Sequence, residues 1–486
     1  IMPSLVGSEM CIRDRILLEG KFIMDSSQTF KGDNRLLLGI FLAVITFWLF
    51  SNSIVNIVND VQTSFSSNVS TIGTAVSITS LLCGLLVVGS GGMADRYGRV
   101  KMVYIGLVLN IIGSILVICS SFTVLLIIGR SVQGFSAACI MPATLAIINE
   151  YYKDKERQRA LSYWSIASWG GTGISTFFGG IVATNLGWRY IFVFSIIVSI
   201  ASMLLMKHTP ETKGVQTEAS RKARFDMVGL IILVIAMLSV NLVITQSSTL
   251  GFFSPVIIGL LALFIIAGVG FVYYEDKVKN PLIDLNLFKH KAYVGATLSN
   301  FLLNGVAGSL IIANTYYQSG LRFTSQQSGY ISLTYLFSVL IMIRVGEKIL
   351  QHVGPKRPMM IGALLNAIGV ILLCLTFLPT PWYVLSSVVG YLFYGMGLGL
   401  YATPSTDTAV AAAPSDKVGV ASGIYKMASS LGNSFGLALS VTIFTMVAAH
   451  SSTEIGAMVG QMFNAALGVI ALILIFVFVP KHYMNN

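Results

Sequence analysis

The chain has 486 residues, of which 55% are hydrophobic and only 10% are charged. Soluble proteins carry roughly 25% charged residues, so this composition excludes an ordinary cytoplasmic enzyme and a disordered protein. The formal net charge of +11 would suit a nucleic-acid binder in a soluble chain, but basic loops also orient membrane proteins, so the positions of the charges decide.

The amino terminus differs from the rest of the chain. It begins at Ile1, and the residues from Ser4 to Lys21 mix polar and charged side chains without the apolar core of a signal peptide. Met24 is a more natural start. We therefore expect residues 1–23 to be a non-native extension and leave them out of the fold prediction.

Apolar stretches of membrane-spanning length recur from Met24 onward. A bilayer core about 30 Å thick needs about 20 apolar residues per helix, and a helix satisfies its own backbone polar groups in lipid. The predicted fold is an all-α membrane protein with fourteen transmembrane helices. Their approximate ranges are 36–58, 73–94, 102–121, 123–148, 161–184, 189–206, 227–247, 254–274, 293–316, 327–346, 358–378, 382–403, 418–446 and 456–479.

Lysine and arginine residues outside these spans fall almost entirely in alternate connections. The opposite set of connections contains only Arg189 and Arg322. Because cytoplasmic loops hold the excess of positive charge, this alternation predicts an even number of spans in the cell membrane, with both termini in the cytoplasm. The positive net charge is then explained by the orientation of the spans in the membrane, and a nucleic-acid partner is excluded.

Two long polar interruptions, 208–226 and 275–291, divide the fourteen spans into six, two and six. This division predicts an amino-terminal six-helix half at 24–206, a linker with an inserted helix pair at 207–291, and a carboxy-terminal six-helix half at 292–486.

A glycine-rich basic stretch follows the second span, and a fainter echo at 346–357 follows the tenth. Without the inserted pair, the tenth span is the eighth helix of the core, six helices after the second. A repeat at an offset of six helices is typical of two six-helix halves, which place a substrate site near the membrane midplane between them. Asp95 in the first stretch can accept hydrogen bonds from a neighbouring helix N-terminus, whose partial positive charge favours a carboxylate. We expect a conformational latch here, with a basic loop set by topology alone as the alternative. Its candidate residues are Gly91, Asp95, Arg96, Gly98 and Arg99.

Apart from Arg189 at the first position of the sixth span, three basic residues fall inside the predicted spans: Arg130, Arg344 and Lys426. A charge at membrane depth is costly and indicates function where it faces the protein interior. Arg130 opens the stretch Arg130-Ser-Val-Gln133-Gly134 in the fourth span, and snorkelling toward an interface is the alternative interpretation. Lys426 matches no motif, and we expect it to snorkel toward the inner face.

The fifth span is rich in small residues, which permit close helix packing. The residues that we expect to form this packing face are Gly171, Ser175, Thr176, Gly179 and Gly180.

Together these motifs resemble the major facilitator superfamily. The stretch at 91–99 matches its loop signature G-x-x-x-D-R-x-G-R, and the stretch at 130–134 matches R-x-x-Q-G. Further pieces, at 188–192, 225–226, 280–284 and 395–399, are similar to the fourteen-helix drug:proton antiporter branch and especially to its bacterial quinolone exporters. The resemblance implies the major facilitator fold and export of amphipathic drugs driven by proton entry. It also implies that Arg130 bonds to helix 1 and takes part in proton coupling.

The chain departs from that branch in two places. Ser175 and Thr176 stand where the antiporter motif G-x-x-x-G-P-x-x-G-G has Gly-Pro, so the proline kink is missing. The stretch 51–56 has a serine where many relatives carry a helix 1 acid, and no Asp or Glu lies near the middle of any predicted span. A site for lipophilic dications favours a buried carboxylate. This chain therefore favours neutral, zwitterionic or anionic substrates, which include zwitterionic quinolones.

Proton coupling requires a group whose pKa shifts between states. All five histidines fall in predicted loops or the tail, which leaves carboxylates near Arg130 or Arg344. The candidates are Asp60, Asp95, Asp407 and Glu347, each with a solvated interfacial carboxylate as the alternative. Asp407 is our first choice because an apolar helix is predicted to end there, between the halves.

A mostly apolar cavity with few polar anchors is typical of a promiscuous drug site. The alternatives are interhelical hydrogen bonds for the amides and lipid-facing placement for the aromatic rings. The candidate substrate contacts are Asn52, Asn56, Trp169, Asn300, Asn304, Asn314, Tyr317, Gln318, Tyr391 and Tyr394.

Other function classes fit less well. The sequence has no G-x-x-x-x-G-K-[ST] loop for an ATP-driven pump, and it has no membrane-depth histidine or metal-ligand cluster for an enzyme. We therefore predict a monomeric transporter of small amphipathic substrates and protons in the lipid bilayer, without metal or cofactor. Transport of an endogenous metabolite, lipid or siderophore remains open, as does a non-transporting sensor on the same fold.

Overall fold

A computed structural model describes the chain as a bundle of long helices. It describes residues 30–51, 53–54, 57, 61, 64–65, 69–214, 226–251, 253–278, 281, 283, 285–323, 325–414 and 418–480. Within these ranges the regular secondary structure is helical, with no strand.

Seven α-helices precede the linker in the described part of the chain. They are α1 (Asn34–Ile45), α2 (Val69–Tyr97), α3 (Arg99–Ile118), α4 (Thr123–Tyr151), α5 (Asp154–Ser165), α6 (Gly171–Asn185) and α7 (Tyr190–Met206). Two π-helical turns interrupt this series. Thr46–Ser51 continues α1, and Ile166–Gly170 joins α5 to α6.

Nine further α-helices follow in the described ranges, after the linker. They are α8 (Met227–Leu250), α9 (Pro255–Lys277), α10 (Lys291–Gly305), α11 (Gly308–Ser319), α12 (Ser325–Val353), α13 (Lys356–Leu373), α14 (Thr380–Ala411), α15 (Val418–His450) and α16 (Thr453–Phe478). A 3₁₀ turn at Leu285–Lys289 precedes α10.

Every predicted span contains helical residues. Over the described residues, 11 helices are long and apolar enough to cross a membrane, or up to 12 if the bent pair Phe177–Asn185 and Tyr190–Met206, which meet at 119°, is one span. Within α8, residues Met227–Val240 form a shorter apolar stretch. These numbers are compatible with the fourteen predicted spans.

Two of the predicted helix ends that are wrong bear on candidate site residues. α14 continues to Ala411, so Asp407 lies inside the helix instead of after it, and α2 continues to Tyr97, so Asp95 lies in its last turns. Hydropathy places a helix end where polar residues begin. Here both carboxylates are buried, Asp407 completely and Asp95 with 7% of its surface exposed, and the helices continue because other helices cover them.

Helices from both sides of the inserted pair share one hydrophobic core. The largest cluster of buried residues combines Ile140 of α4 with Val410 of α14 and with Ala421 and Ile424 of α15. A second cluster lies within α10–α16, with Tyr317 and Tyr394 among its members. The amino-terminal and carboxy-terminal helices are therefore in direct contact where α4, α14 and α15 meet.

The end of the bundle at which this contact occurs contains two matching glycine breaks. Gly98, with φ +130°, separates α2 from α3, and Gly354, with φ +77°, separates α12 from α13. These positive φ angles favour glycine. The two breaks fall in the stretch at 91–99 and in its echo at 346–357, and we call this end of the bundle, where α15 also begins, the Asp95 end.

Candidate functional site

The carboxylate of Asp95 joins α2 to the first turn of α15. Its Oδ2 accepts hydrogen bonds from the backbone N–H groups of Gly419 at 2.8 Å and Val420 at 3.3 Å. Its Oδ1 accepts from Arg99 Nε at 3.0 Å. Because the first turn of a helix has N–H groups without intrahelical partners and a partial positive charge, the carboxylate is well matched to this position.

Close backbone approach accompanies this contact. A Cβ atom placed on Gly91 would overlap the carbonyl group of Gly419, and one placed on Gly419 would overlap the carbonyl oxygen of Gly91 and the carboxylate of Asp95. The two helices can therefore approach this closely only because both positions are glycine.

Arg99 is buried, with 1% of its surface exposed, between two carboxylates. It pairs with Asp95 and, through Nη1 at 3.2 Å, with Glu150 of α4. Arg96 is half-buried, with its guanidinium carbon 5.5 Å from the centre of the Tyr97 ring.

Glu211, from the segment after α7, caps the N-terminus of α3. Its carboxylate accepts from the backbone N–H groups of Val100 and Lys101, both at 2.9 Å. A side chain on Gly98 would overlap this carboxylate. Glu211 gave no signal in the sequence, because no spacing rule links a linker residue to a helix 110 residues earlier.

A buried ion pair at the Asp95 end connects α5 to α14. Arg157 Nη2 lies 2.9 Å from Asp407 Oδ1, and Nε donates to the same oxygen at 3.1 Å. The Asp407 side chain is completely buried, whereas that of Arg157 is 19% exposed. In the sequence Arg157 is one of several basic residues in a predicted loop, and its separation of 250 residues from Asp407 gives no signal that the two are paired.

Arg344 of α12 also contacts α5. Arg344 forms an ion pair with Glu347, one turn away. Its guanidinium carbon lies 4.8 Å from the centre of the Tyr163 ring.

Arg130 points into the interior of the amino-terminal helices and is 1% exposed. Its Nε donates to the carbonyl oxygen of Ala75 in α2 at 3.2 Å, and its Nη1 donates to Gln133 Oε1 at 2.8 Å. Gln133 in turn donates to Ser114 of α3 at 3.1 Å. The guanidinium therefore connects α4 to α2 inside the bundle and does not reach an interface.

The expectation that Lys426 snorkels is wrong. The residue is 6% exposed, and its Nζ lies 4.1 Å from the centre of the Trp164 ring and 5.4 Å from that of Tyr425. Trp164 is fully buried and donates from Nε1 to Thr144 Oγ1 at 3.0 Å. The ammonium group turns inward because an aromatic face attracts a cation. No sequence pattern indicated that this face lies on another helix.

The small residues of α6 pack against the first span. A Cβ on Gly171 would lie 3.0 Å from Trp48 Cβ, and one on Gly179 would lie 3.1 Å from Ser53 Cβ. Ser53 Oγ donates to the carbonyl oxygen of Ser175 at 3.2 Å. A Cβ on Gly180 would meet nothing within 4 Å, and the side chain of Thr176 lies outside the described residues.

The two π-helical turns lie where these helices meet. Thr46–Ser51 and Ile166–Gly170 contact each other, and Trp169 in the second turn packs against the carboxy-terminal hydrophobic cluster. Single π-helical turns occur frequently at functional sites. Asn52, Asn56 and Asp60, which we predicted to be site residues on the first span, lie outside the described residues.

Of the two buried amides of α10, Asn300 is hydrogen-bonded to α15 and Asn304 is hydrogen-bonded to Asn300. Asn300 Nδ2 donates to the carbonyl oxygen of Tyr425 at 3.0 Å and to Ser429 Oγ at 2.5 Å. Asn304 Nδ2 donates to Asn300 Oδ1 at 2.9 Å. Asn300 thus forms an interhelical bond, the alternative that we considered for these amides.

The structure separates the remaining substrate candidates. Tyr317, Tyr391 and Tyr394 are completely buried among α11, α12 and α14, so they do not face lipid. Gln318 is exposed and bonds to Asn314 on its own helix. It therefore lies apart from the three tyrosines.

Known proteins similar to this chain include membrane transporters. The Major Facilitator Superfamily family model matches residues 36–437. The chain is 55% identical over 456 residues to "Quinolone resistance protein NorB" of Staphylococcus aureus strain MRSA252 and 56% identical over 456 residues to the protein of that name from strain COL. Each alignment covers 94% of this chain and 98% of the relative.

Two solved structures are similar in fold. The proton:xylose symporter XylE bound to 6-bromo-6-deoxy-D-glucose aligns with a TM-score of 0.66 at 17% identity, covering 92% of this chain and 96% of that one. The human organic anion transporter MFSD10 (TETRAN) aligns with a TM-score of 0.62 at 14% identity, covering 91% and 98%. On the family match and the high identity over nearly its whole length, this multi-pass membrane protein belongs to the major facilitator superfamily.

Proposed function

We propose that this chain exports amphipathic compounds, quinolones among them, in exchange for protons. The observation that carries the proposal is the 55% identity to the quinolone resistance protein NorB over 94% of the chain. The buried contacts between the amino-terminal and carboxy-terminal helices support it, because a transporter of this kind alternates between states that open at opposite ends.

The latch of this transporter consists of Gly91, Asp95 and Arg99, with Gly98 and Arg96 completing the turn. Asp95 belongs to the half at 24–206, and its partner Gly419 belongs to the half at 292–486. The Asp95 end therefore opens only when these hydrogen bonds break. The linker and helix pair at 207–291 connect the two halves.

The Asp95 end faces the cytoplasm in this proposal. The basic connections predicted from the sequence lie at this end, and cytoplasmic loops hold the excess of positive charge. Both termini are then cytoplasmic. The transporter acts as a monomer and carries out no covalent chemistry on its substrate.

Proton binding acts on the ion pair of Asp407 with Arg157. A proton on Asp407 removes its negative charge, which weakens the attachment of α14 to α5 and favours opening of the Asp95 end. Arg130 keeps α2 and α4 in register during this movement, through its bonds to Ala75 and Gln133. Asp60 on the first span is a second candidate for the proton.

The substrate lies between the halves. Trp169 reaches from the π-helical turn to the carboxy-terminal helices, and Asn300 and Asn304 lie on α10 beside α15. Gly171, Ser175 and Gly179 of α6 pack closely on the first span. This packing keeps α6 and the first span rigid relative to each other while the halves move.

The test is efflux of norfloxacin from proteoliposomes that contain the full chain. A proton gradient is imposed and then collapsed with an ionophore. We expect export that stops when the gradient collapses. Absence of flux from protein that elutes as a single folded species would refute the proposal, and flux that continues without a gradient would refute its proton coupling.

A further inference from the structure

Lys426 places a basic side chain in the interior of the protein, at the contact between the two halves. It lies about 12 Å along the axis of α15 from Val418, at a rise of about 1.5 Å per residue. Within the described part of the chain no ion pair joins its ammonium group to a carboxylate, and its close neighbours include the rings of Trp164 and Tyr425. Removing an ammonium ion from water costs free energy, and contact with aromatic faces offsets only part of that cost.

The nearby carboxylates are already engaged. Asp95 bonds to Arg99 and to the start of α15, and Asp407 pairs with Arg157. Neither is a partner of the Lys426 ammonium group. The charge is therefore incompletely compensated in this state of the protein.

The face of α15 that carries Lys426 is the face on which the other half packs. A Cβ on Gly423 would lie 2.8 Å from the carbonyl oxygen of Val87 in α2, and one on Gly84 of α2 would lie 3.3 Å from Ser430 Cβ. Residues 423, 426 and 430 lie on one helix face, because they are three and four residues apart. Trp164, the ring under the ammonium, belongs to α5 of that other half.

Separation of the two halves would therefore remove Trp164 from Lys426. The ammonium group would then face the space that opens between the halves, which is where transporters of this architecture hold their substrate. On the neighbouring face of α15, Asn300 is bonded to the backbone carbonyl of Tyr425. This bond holds the backbone of α15 next to the lysine in place.

We propose that Lys426 binds the carboxylate of an anionic or zwitterionic amphipathic substrate, and that the Trp164 ring covers the ammonium group when no substrate is present. The inference rests on the proposed function and adds the chemical group that the site selects. A carboxylate supplies the full negative charge that the aromatic faces lack.

The test compares two probes that differ in the carboxylate, norfloxacin and norfloxacin methyl ester. Binding is measured by equilibrium dialysis with purified full-length protein, and flux is measured in proteoliposomes. The variants are Lys426→Gln, which removes the charge, and Lys426→Arg, which keeps it. The control is Lys291→Gln, which removes the charge of an exposed lysine at the start of α10.

A charge-assisted hydrogen bond changes affinity by roughly tenfold or more. We expect Lys426→Gln to raise the Kd and KM for norfloxacin by about that factor and to leave those for the ester within about twofold. Lys426→Arg and Lys291→Gln should keep the preference for norfloxacin. Thermal unfolding shows that each variant is folded.

The alternative is that Lys426 only stabilises the contact between the halves. In that case Lys426→Gln changes binding of both probes equally, and this result would overturn the inference, as would unchanged norfloxacin binding. Equal affinity of the unmodified protein for the two probes would also overturn it while leaving proton-driven export intact. Failure of the unmodified protein to move either probe would instead refute the proposed function on which the inference rests.

Discussion

Asp95 and Gly419 are 324 residues apart in sequence, yet the carboxylate of the first accepts a hydrogen bond of 2.8 Å from the backbone N–H of the second. One residue lies near the end of α2 and the other at the start of α15. The carboxylate thus interacts with the positive end of a helix dipole that belongs to the other half of the protein. Any movement that separates these helices must give up this interaction.

Replacement of Asp95 by asparagine tests this contact. The asparagine side chain would keep an acceptor oxygen but lose the charge that interacts with Arg99 and with the helix N-terminus. Hydrogen bonds to charged groups contribute about 1.5–3 kcal/mol, so we expect Asp95→Asn to lower proton-driven norfloxacin efflux at least about tenfold. Membrane insertion and yield should stay normal. Asp276→Asn, at an exposed acid of α9, is the control, and near-normal efflux by Asp95→Asn would contradict the latch.

Gly91 provides a steric test of the same contact. A valine side chain there would collide with the carbonyl group of Gly419, so Gly91→Val should keep α2 and α15 apart. We expect a larger distance between spin labels placed across the Asp95 end, together with loss of efflux. Gly259→Val on α9 is the matched control, because a Cβ at Gly259 meets nothing within 4 Å. Unchanged label distances in Gly91→Val would show that the close approach is not required.

The helical fold was predictable because its signals are local. Runs of apolar residues long enough to cross a bilayer and the alternation of basic connections require no knowledge of which helices touch. The helix ends were less predictable. α14 continues to Ala411, because burial of Asp407 against α5 allows a polar segment to remain helical.

Partner residues could not be predicted in this way. Asp95 was identifiable because it lies in a dense local motif, whereas Arg157, Glu211 and Trp164 act through contacts with residues far away in sequence. Lys426 shows the same limit. Its sequence position suggested snorkelling, and only the packing of α5 against α15 places an aromatic ring under its charge.

Arg130 should be required for proton-driven transport. Arg130→Ala removes the donors to the Ala75 carbonyl and to Gln133, which removes a buried hydrogen bond between α4 and α2 and loosens α2 from α4. We expect proton-driven efflux to fall at least about tenfold while norfloxacin binding persists. Arg357→Ala, at an exposed arginine of α13, is the control. Unchanged proton-dependent flux in Arg130→Ala would remove this residue from the mechanism.

The pair of Arg157 and Asp407 is suited to a double-mutant cycle. Arg157→Gln leaves a completely buried carboxylate without its cation, a change that typically costs about 3–5 kcal/mol, so its thermal unfolding temperature should fall most. Asp407→Asn should cost less, because the Arg157 side chain is 19% exposed and can reach water. The double variant should be more stable than the sum of the single losses predicts.

In transport, Asp407→Asn imitates the protonated state, so its norfloxacin flux should no longer respond to the imposed proton gradient. Additive stability losses, together with flux that still follows the gradient, would show that this ion pair neither joins the two halves nor carries the proton.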